Sequence, residues 1–554
     1  MPVHTGTTTD VVIVGAGPAG LIAAHELARR GVSLRLIEKR GGPSHTTRAF
    51  TLHARSMEMF EHIGVAHRLE EVCLMCPGNV YHFNDMPDED KPRTDFRSLP
   101  TRYPFYYKLN QNDFEQVLRD HLRATYGITP EYRKEFISLQ RGTDSTDTAV
   151  TAVLLDRDTG VQERVESSWL IGCDGSKSRV RDAAHIPFSG QRVGVMAMMD
   201  VELTGFAYDD SWVNYFIGED VFMLVTKLPG RYWRVYLSDA GAMTKADDPQ
   251  ASFQSVADAL KIPMTIGQPH WATQWEILNN IAETYRRGRV LICGDASHVH
   301  SPAGGQGMNG CMQDAFNLGW KLAAVLQGVA DEKILDSYET ERKPIGEQIT
   351  AGAKSTHDVV MAFGTGMADR IAQTREPQWQ DNAVRLISGL AHNYRATSHT
   401  PSGLTPVVGP QAGDRAPDAV LRQEPLRRLF HVLRDPWFTL LLVPRAGDVD
   451  DLAAAARLST EVLGAYGSHV RTMAVTAEQP AGFDFDHWIA DETGEFTAAY
   501  GISSSEARAI LVRPDMYVAA NCRLDEAAVL IEQLREWFHN GTGGRATHEQ
   551  RDVS

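Results

Sequence analysis

Short, continuous apolar runs recur along the chain, each closed by glycine or a polar turn. The first, "VVIV" at 11–14, is unbroken, as expected of a parallel strand covered on both faces. A segment of small residues follows, with Leu21 and Leu27 on its buried face, and reads as a helix; "LRLIE" at 34–38 reads as the next strand. "SSWLIG" before Cys173 and "RVLIC" before Gly294 read as two more buried strands. From 188 to 285 the pattern changes. "WVNYFIGEDVFMLVTKLPGRYWRVYL" alternates apolar and polar positions between glycine turns, which predicts antiparallel strands. After a polar, proline-bearing passage at 409–421, the apolar runs "FTLLLVP" and "VRTMAV" read as strands. "ARAILVRPDMYVAA" reads as a hairpin turning at Arg513-Pro514-Asp515, and "LDEAAVLIEQLREWF" as an amphipathic closing helix.

The chain has 554 residues, enough for two or three domains, and its 43% hydrophobic and 23% charged content is that of a globular protein. A net charge of −16 argues against a nucleic-acid binder, which shows a basic face. The N-terminus lacks the apolar core of a signal peptide, and no run reaches the roughly 20 residues of a membrane span. The six cysteines, at 73, 76, 173, 293, 311 and 522, are scattered, which suits a reducing cytoplasm. Cys73 and Cys76 form a C-x-x-C without a second ligand pair and read as a partly buried turn.

The chemistry starts at the first turn. Gly15, Gly17 and Gly20 form G-x-G-x-x-G between strand and helix, with Pro18 and Ala19 inside it. Gly15 permits the tight turn, Gly17 lets a pyrophosphate approach, and Gly20 lets helix and strand pack closely. The helix N-terminus offers free N–H groups to phosphate. The second strand ends at Glu38, followed by Lys39; a carboxylate there accepts ribose hydroxyls. This motif predicts a dinucleotide site and leaves NAD and FAD open.

Two later motifs bear on that choice. "SSWLIGCDGSKSRVR" carries Asp174-Gly175 with Ser178 and Arg181; "GDASHVHSPAGGQGMNG", at 294–310, carries Asp295, His298 and Pro302. A loop so long, polar and glycine-rich exceeds what a connector needs. With these three motifs in this order, the chain resembles the single-component (class A) flavin-dependent aromatic hydroxylases, in their phenol hydroxylase and polyketide hydroxylase branch. The resemblance implies an α/β fold: a Rossmann-like FAD-binding domain of the para-hydroxybenzoate hydroxylase type at 1–185 and 286–400, and an antiparallel-sheet substrate domain at 186–285. It adds a thioredoxin-like C-terminal domain at 405–545. No cysteine lies between 410 and 521, so that last domain lacks a redox dithiol and serves structure or a homodimer contact.

The same resemblance implies FAD as cofactor, with Asp174 at its site and Asp295 on its ribityl chain. Gly305 and Gly307 would lie flat against the ring. Met308 and Asn309 would donate backbone N–H groups at the start of a helix from about Cys311 to Leu326, whose dipole would favour the reduced, anionic flavin. Arg48 and Gln111 match family positions at the flavin and its phosphates, and Pro302 matches the proline whose carbonyl faces the substrate. His298 and His300 can supply two metal ligands, but no third is near, so no metal is expected.

The implied activity is hydroxylation of a phenolic or polyketide aromatic ring, using NAD(P)H as a transient co-substrate and O2 through a flavin C4a-hydroperoxide. A Baeyer–Villiger or epoxidising monooxygenase is the alternative on the same scaffold, and a flavin-binding protein without turnover is the alternative outside enzymes. Phe222 and Tyr232 are candidates for the substrate pocket, with Trp233 and Tyr236 beside them. Phenol hydroxylases of this family carry an aspartate just before the "ARSME"-like helix, where Phe50 stands here. His53, with His45 nearby, has a suitable intrinsic pKa and is the candidate base.

Overall fold

The computed structural model describes residues 3–44, 49–83, 86–219, 221–238, 248–302, 304–360, 366–397, 404–422, 427–467, 469–480, 482, 483, 485 and 487–538. The chain divides into two compact units, Met1–Gly319 with Tyr338–His392, and Trp320–Ser337 with Asn393–Ser554.

The first unit holds two large sheets. In one, Val290–Ile292, Gln162–Gly172, Val3–Val14, Leu34–Glu38 and Glu131–Tyr132 run parallel in that order. Val12 lies between Leu170 and Arg35, and Leu170 beside Val290, so three distant apolar runs end side by side. Val11, Val12 and Ile13 have no solvent exposure, which explains why this strand is apolar on both faces. Beyond Gln162–Gly172 the sheet turns antiparallel through Val150–Asp156 and Lys134–Arg141.

The second sheet has eight strands. Its centre is Thr265–Ala282, Phe188–Thr204, Trp233–Ser238, Phe222–Lys227 and Val213–Ile217, all antiparallel as the alternation predicts. Alternate residues feed different cores. Met198, Tyr215, Phe222, Leu224 and Tyr236 pack on one face; Met199, Phe216, Met223, Val225 and Val235 pack on the other. The sheet continues into Gly78–Phe83, parallel to Val213–Ile217, and then Arg93–Asp95. These two strands come from a stretch read as part of the cofactor domain. Every residue of Gly78–Phe83 is buried, so its own sequence does not show which sheet it joins.

In the second unit, His487–Ala490, Val470–Thr476 and Phe438–Val443 run parallel, and the hairpin Arg508–Val512 with Val518–Arg523 completes the sheet antiparallel. Helices Val449–Tyr466 and Ala528–Trp537 contribute Leu458, Val462, Leu530 and Leu534 to its core. This is the thioredoxin-like arrangement, with Cys522 fully buried in it. Among the described residues no helix is long and apolar enough to cross a membrane.

Candidate active site

One cavity of about 750 Å³ runs through the first unit. The glycine turn forms one end. Gly17, Pro18 and Ala19 line it, together with Gly15, which bends at φ +103°. A Cβ on Gly15 would lie 2.3 Å from the Cys173 carbonyl oxygen, and one on Gly20 only 1.9 Å from the Gly15 oxygen. A Cβ on Gly17 meets nothing within 4 Å. Gly15 and Gly20 are therefore fixed by packing, while Gly17 borders open space. The helix Pro18–Ala28 starts at Gly17 with no side-chain cap and no acidic residue in its first turn. Its N–H groups remain available to an anion.

Glu38 ends its strand against the same turn. Its Oε2 accepts from Ala16 N at 3.1 Å and from the Arg40 guanidinium at 3.0 Å. Burial pushes the Glu38 carboxyl up, but its hydrogen bonds from the Arg40 side chain and backbone prevail and hold it below its ordinary value. Lys39 and Gln111 also line the cavity; Gln111 opens the helix Gln111–Tyr126 and donates to Glu115 at 2.8 Å.

Asp174 lines the floor beside Gly15. Its oxygens accept from the Ser178 hydroxyl and from the backbone N–H groups of Arg179 (2.7 Å) and Val180 (3.2 Å), so it organises the helix Arg179–Ala183. Arg181, on that helix, donates to the Ala296 carbonyl at 3.2 Å and covers the Phe188 ring. It thereby joins the Asp174 turn to the loop of Asp295.

That loop leaves the strand Val290–Ile292 and exposes Asp295 to the cavity. Pro302, Gly305, Gly307 and Met308 line its far side. The following helix spans Gln306–Leu326, five residues earlier than the expected start at Cys311. The reason is Asn309. Its carboxamide donates to the Thr51 and Gly305 carbonyls, at 3.1 and 3.0 Å, and accepts from His53 N at 3.0 Å. These bonds hold a glycine-rich first turn that propensity alone would not. Behind the loop, His298 and Arg342 grip the buried Asp314, each at 2.7 Å.

The chamber between this loop and the second sheet is aromatic. Phe50, Tyr106, Tyr215, Phe222, Tyr236 and Trp275 line it, with Asn79, Met196 and Leu224. Phe50 and Tyr236 pack at 5.7 Å, Tyr215 and Phe222 at 5.6 Å.

The structure brings Gly15, Gly17, Pro18, Ala19, Glu38, Lys39, Gln111, Asp174, Phe222, Asp295, Pro302, Gly305, Gly307 and Met308 to this one cavity. Gly20 stands behind the turn, and Asn309 turns inward as the brace described above. Arg48 and His45 lie outside the described residues. Tyr232 is not brought to the cavity: it precedes its strand and stacks on His270 at 4.6 Å, while Tyr236, four residues further and inside the strand, takes the chamber face. His53 is also not among the cavity residues. Its ring packs edge-on to Tyr106 at 4.9 Å and is tied to the Ile387 carbonyl. Burial lowers its pKa to about 3, and its backbone N–H donates to the Asn309 brace. Tyr106, Tyr215, Asn79 and Cys311 were not among the residues nominated from sequence. Tyr215 alternates with Phe216 between the two cores, a parity visible in "VNYFI" once Phe222 is placed; Tyr106 and Asn79 carry no such local signal.

The open space at Gly17, the uncapped helix, the ribose-spaced Glu38 and the cavity-facing carboxylate of Asp295 together fit a dinucleotide cofactor. Comparison with known proteins agrees. Residues 8–353 match the FAD binding domain family and residues 409–541 the aromatic-ring hydroxylase C-terminal family. The chain is 39% identical over 531 residues to pentachlorophenol 4-monooxygenase of Sphingobium chlorophenolicum, covering 95% of this chain and 96% of that protein. It is 30% identical over 550 residues to 6-methylpretetramide 4-monooxygenase of Streptomyces rimosus, covering 95% and 93%. Among solved structures, OxyS anhydrotetracycline hydroxylase from Streptomyces rimosus aligns with a TM-score of 0.74 at 26% identity, over 96% of this chain and 99% of that one. Aklavinone-11 hydroxylase, solved with FAD and aklavinone, gives 0.74 and 26% over 95% and 98%.

Proposed function

The chain belongs to the FAD-dependent aromatic-ring hydroxylase family, and from that premise we propose that it hydroxylates a phenolic ring bearing no charged substituent, with O2 and NAD(P)H. The observation that carries this is the composition of the chamber. Its wall on the second sheet is built by Asn79, Met196, Val213, Tyr215, Phe222, Leu224 and Tyr236, none of them charged. Glu276, also at the cavity, is 62% exposed and paired with Arg192, so it marks the rim.

FAD, reduced by NAD(P)H, supplies the activation of O2. The protein supplies position and dryness. Pro302 and Gly305 set one side of the chamber, and Phe50, Tyr236 and Trp275 hold a ring against it by packing faces and edges. The hydroxyls of Tyr106, Tyr215 and Tyr236 and the Asn79 carboxamide orient a phenolic oxygen without changing its charge. Aromatic side chains exclude water, so reducing equivalents go to the ring rather than to hydrogen peroxide. Phe50 at the family's aspartate position leaves no carboxylate base there, which favours tailoring of larger phenolics over simple phenol. The scattered cysteines support a reducing, cytoplasmic setting.

The test is NAD(P)H oxidation by the purified enzyme against phenols, fused-ring phenolics and hydroxybenzoates, with product mass and peroxide followed together. Phenols or fused-ring phenolics are expected to raise oxidation at least about tenfold over hydroxybenzoates, because the described residues of the chamber wall offer no cation to a carboxylate, and to gain one oxygen atom. Equal use of hydroxybenzoates would sink the reading. Product NMR separates ring hydroxylation from lactone formation.

A smaller effect is expected at the other end of the cavity. Glu38→Ala should weaken FAD binding to the apoprotein by about 10- to 100-fold, the loss of charge-assisted ribose contacts. Quenching of flavin fluorescence measures it; unchanged affinity would remove Glu38 from the cofactor site.

A further inference from the structure

The thiol of Cys311 stands directly beneath Asp295. Its Sγ lies 3.1 Å from Asp295 Oδ1, and the residue lines the cavity while only 6% exposed. The other carboxylate oxygen, Oδ2, takes no hydrogen bond from any described residue. On its remaining side the sulfur is confined by Gly294, which bends at φ +66° and has no room for a side chain. A Cβ there would lie 2.9 Å from Cys311 Cβ and 3.1 Å from its Sγ. Only a glycine at 294 therefore leaves the sulfur the room it occupies beside the carboxylate. Burial, and then the Asp295 and Asp314 carboxylates, push the thiol well above its ordinary value. It keeps its proton, so the contact has a direction: S–H donates and the carboxylate accepts.

We propose that Cys311 is a positioning residue, whose S–H fixes one oxygen of Asp295 so that the other presents to the ribityl chain of FAD. This rests on the reading of Asp295 as the ribityl ligand. A free aspartate on a loop has several rotamers, and the cofactor must select one; a donor fixed on the loop helix makes that selection in advance. The neighbouring Cys293 and Cys173 take no part in it. Cys293 Sγ reaches the Cys311 carbonyl, at 3.8 Å, and interacts with the Cys173 thiol rather than with Asp295.

The experiment measures FAD affinity of the apoprotein by flavin fluorescence quenching in Cys311→Ala, Cys311→Ser and Asp295→Ala, and in the double variant Cys311→Ala with Asp295→Ala. Melting of each apoprotein checks folding. Cys311→Ala is expected to weaken FAD about tenfold, and Cys311→Ser, which restores a donor, to return within about threefold of the parent. In the Asp295→Ala background, where the acceptor is gone, loss of the thiol should have no further effect. An equal loss in both backgrounds, or failure of serine to rescue, overturns the proposal and leaves the sulfur a packing atom. If Asp295→Ala alone leaves FAD affinity unchanged, the reading of Asp295 fails, a distinct result. Should Cys311→Ala not fold, the infrared S–H stretch of the parent holoenzyme decides. A hydrogen-bonded band that relaxes in Asp295→Ala supports the contact, and a free-thiol band in both overturns it.

Discussion

Gly20→Val protein will emerge from purification without yellow colour. The substitution adds a Cβ 1.9 Å from the Gly15 carbonyl oxygen, which belongs to backbone already pressed against Cys173. No rotamer relieves that overlap, so the strand and the helix Pro18–Ala28 must part. The pyrophosphate would then meet N–H groups that no longer converge, and FAD affinity should fall at least about a hundredfold. Gly17→Ala separates the two roles of the turn. Its added methyl meets nothing within 4 Å in the protein, so the melting temperature should stay within a few degrees of the parent. FAD binding should still fall, because the methyl occupies space the phosphate needs. A Gly17→Ala protein that binds FAD as the parent does would move the pyrophosphate away from this turn.

The second large effect is acid instability. His25, His53 and His392 are buried and His300 is half-buried at the cavity; desolvation lowers the first three to about 3 and His300 to about 4. In the unfolded chain each titrates near 6.5. Between these values the unfolded state binds protons that the native state refuses, so stability rises with pH across that window. It is fully present above about pH 6.5 and drains away as pH falls toward 3. At pH 5 each histidine withdraws about 2 kcal/mol, a large share of the stability of any domain. Of the four, His300 lies in the Asp295 loop and His53 is tied to it through Asn309, so FAD should leave in the first acid transition. Thermal melting followed by flavin fluorescence at pH 7.5, 6 and 5 measures both. A midpoint flat across this range would show that water reaches these rings. Replacing His392 by Leu should make the pH slope shallower.

What could be read in the sequence, and what could not, follows from the range of the interactions. Gly15, Gly17, Gly20 and Glu38 were legible because one turn and two adjacent strands create their roles. The loop of Asp295 was legible for the same reason, and so were the strands of the second unit. The roles of His53 and Tyr232 were not. His53 is placed by Asn309 and Ile387, far along the chain, and Tyr232 lies outside the strand whose parity was read. The chamber wall at Asn79 and Tyr106 depends on a parallel pairing of Gly78–Phe83 with Val213–Ile217 and on the small sheet joining Thr51–Leu52 to Tyr106–Lys108. Neither leaves a trace in local periodicity.

The Asn309 brace has a consequence in time. It ties the loop to His53 and Thr51, partners 256 and 258 residues earlier. On a ribosome adding about 5–20 residues per second, those partners wait roughly 10–50 s for it. During that interval the glycine turn and its first helix exist without the carboxylate and loop that complete the pocket. The nascent chain cannot retain the cofactor by this site until more than half of it has been made. Such late closure rules out early capture at this site and makes abundance sensitive to free FAD at the close of synthesis.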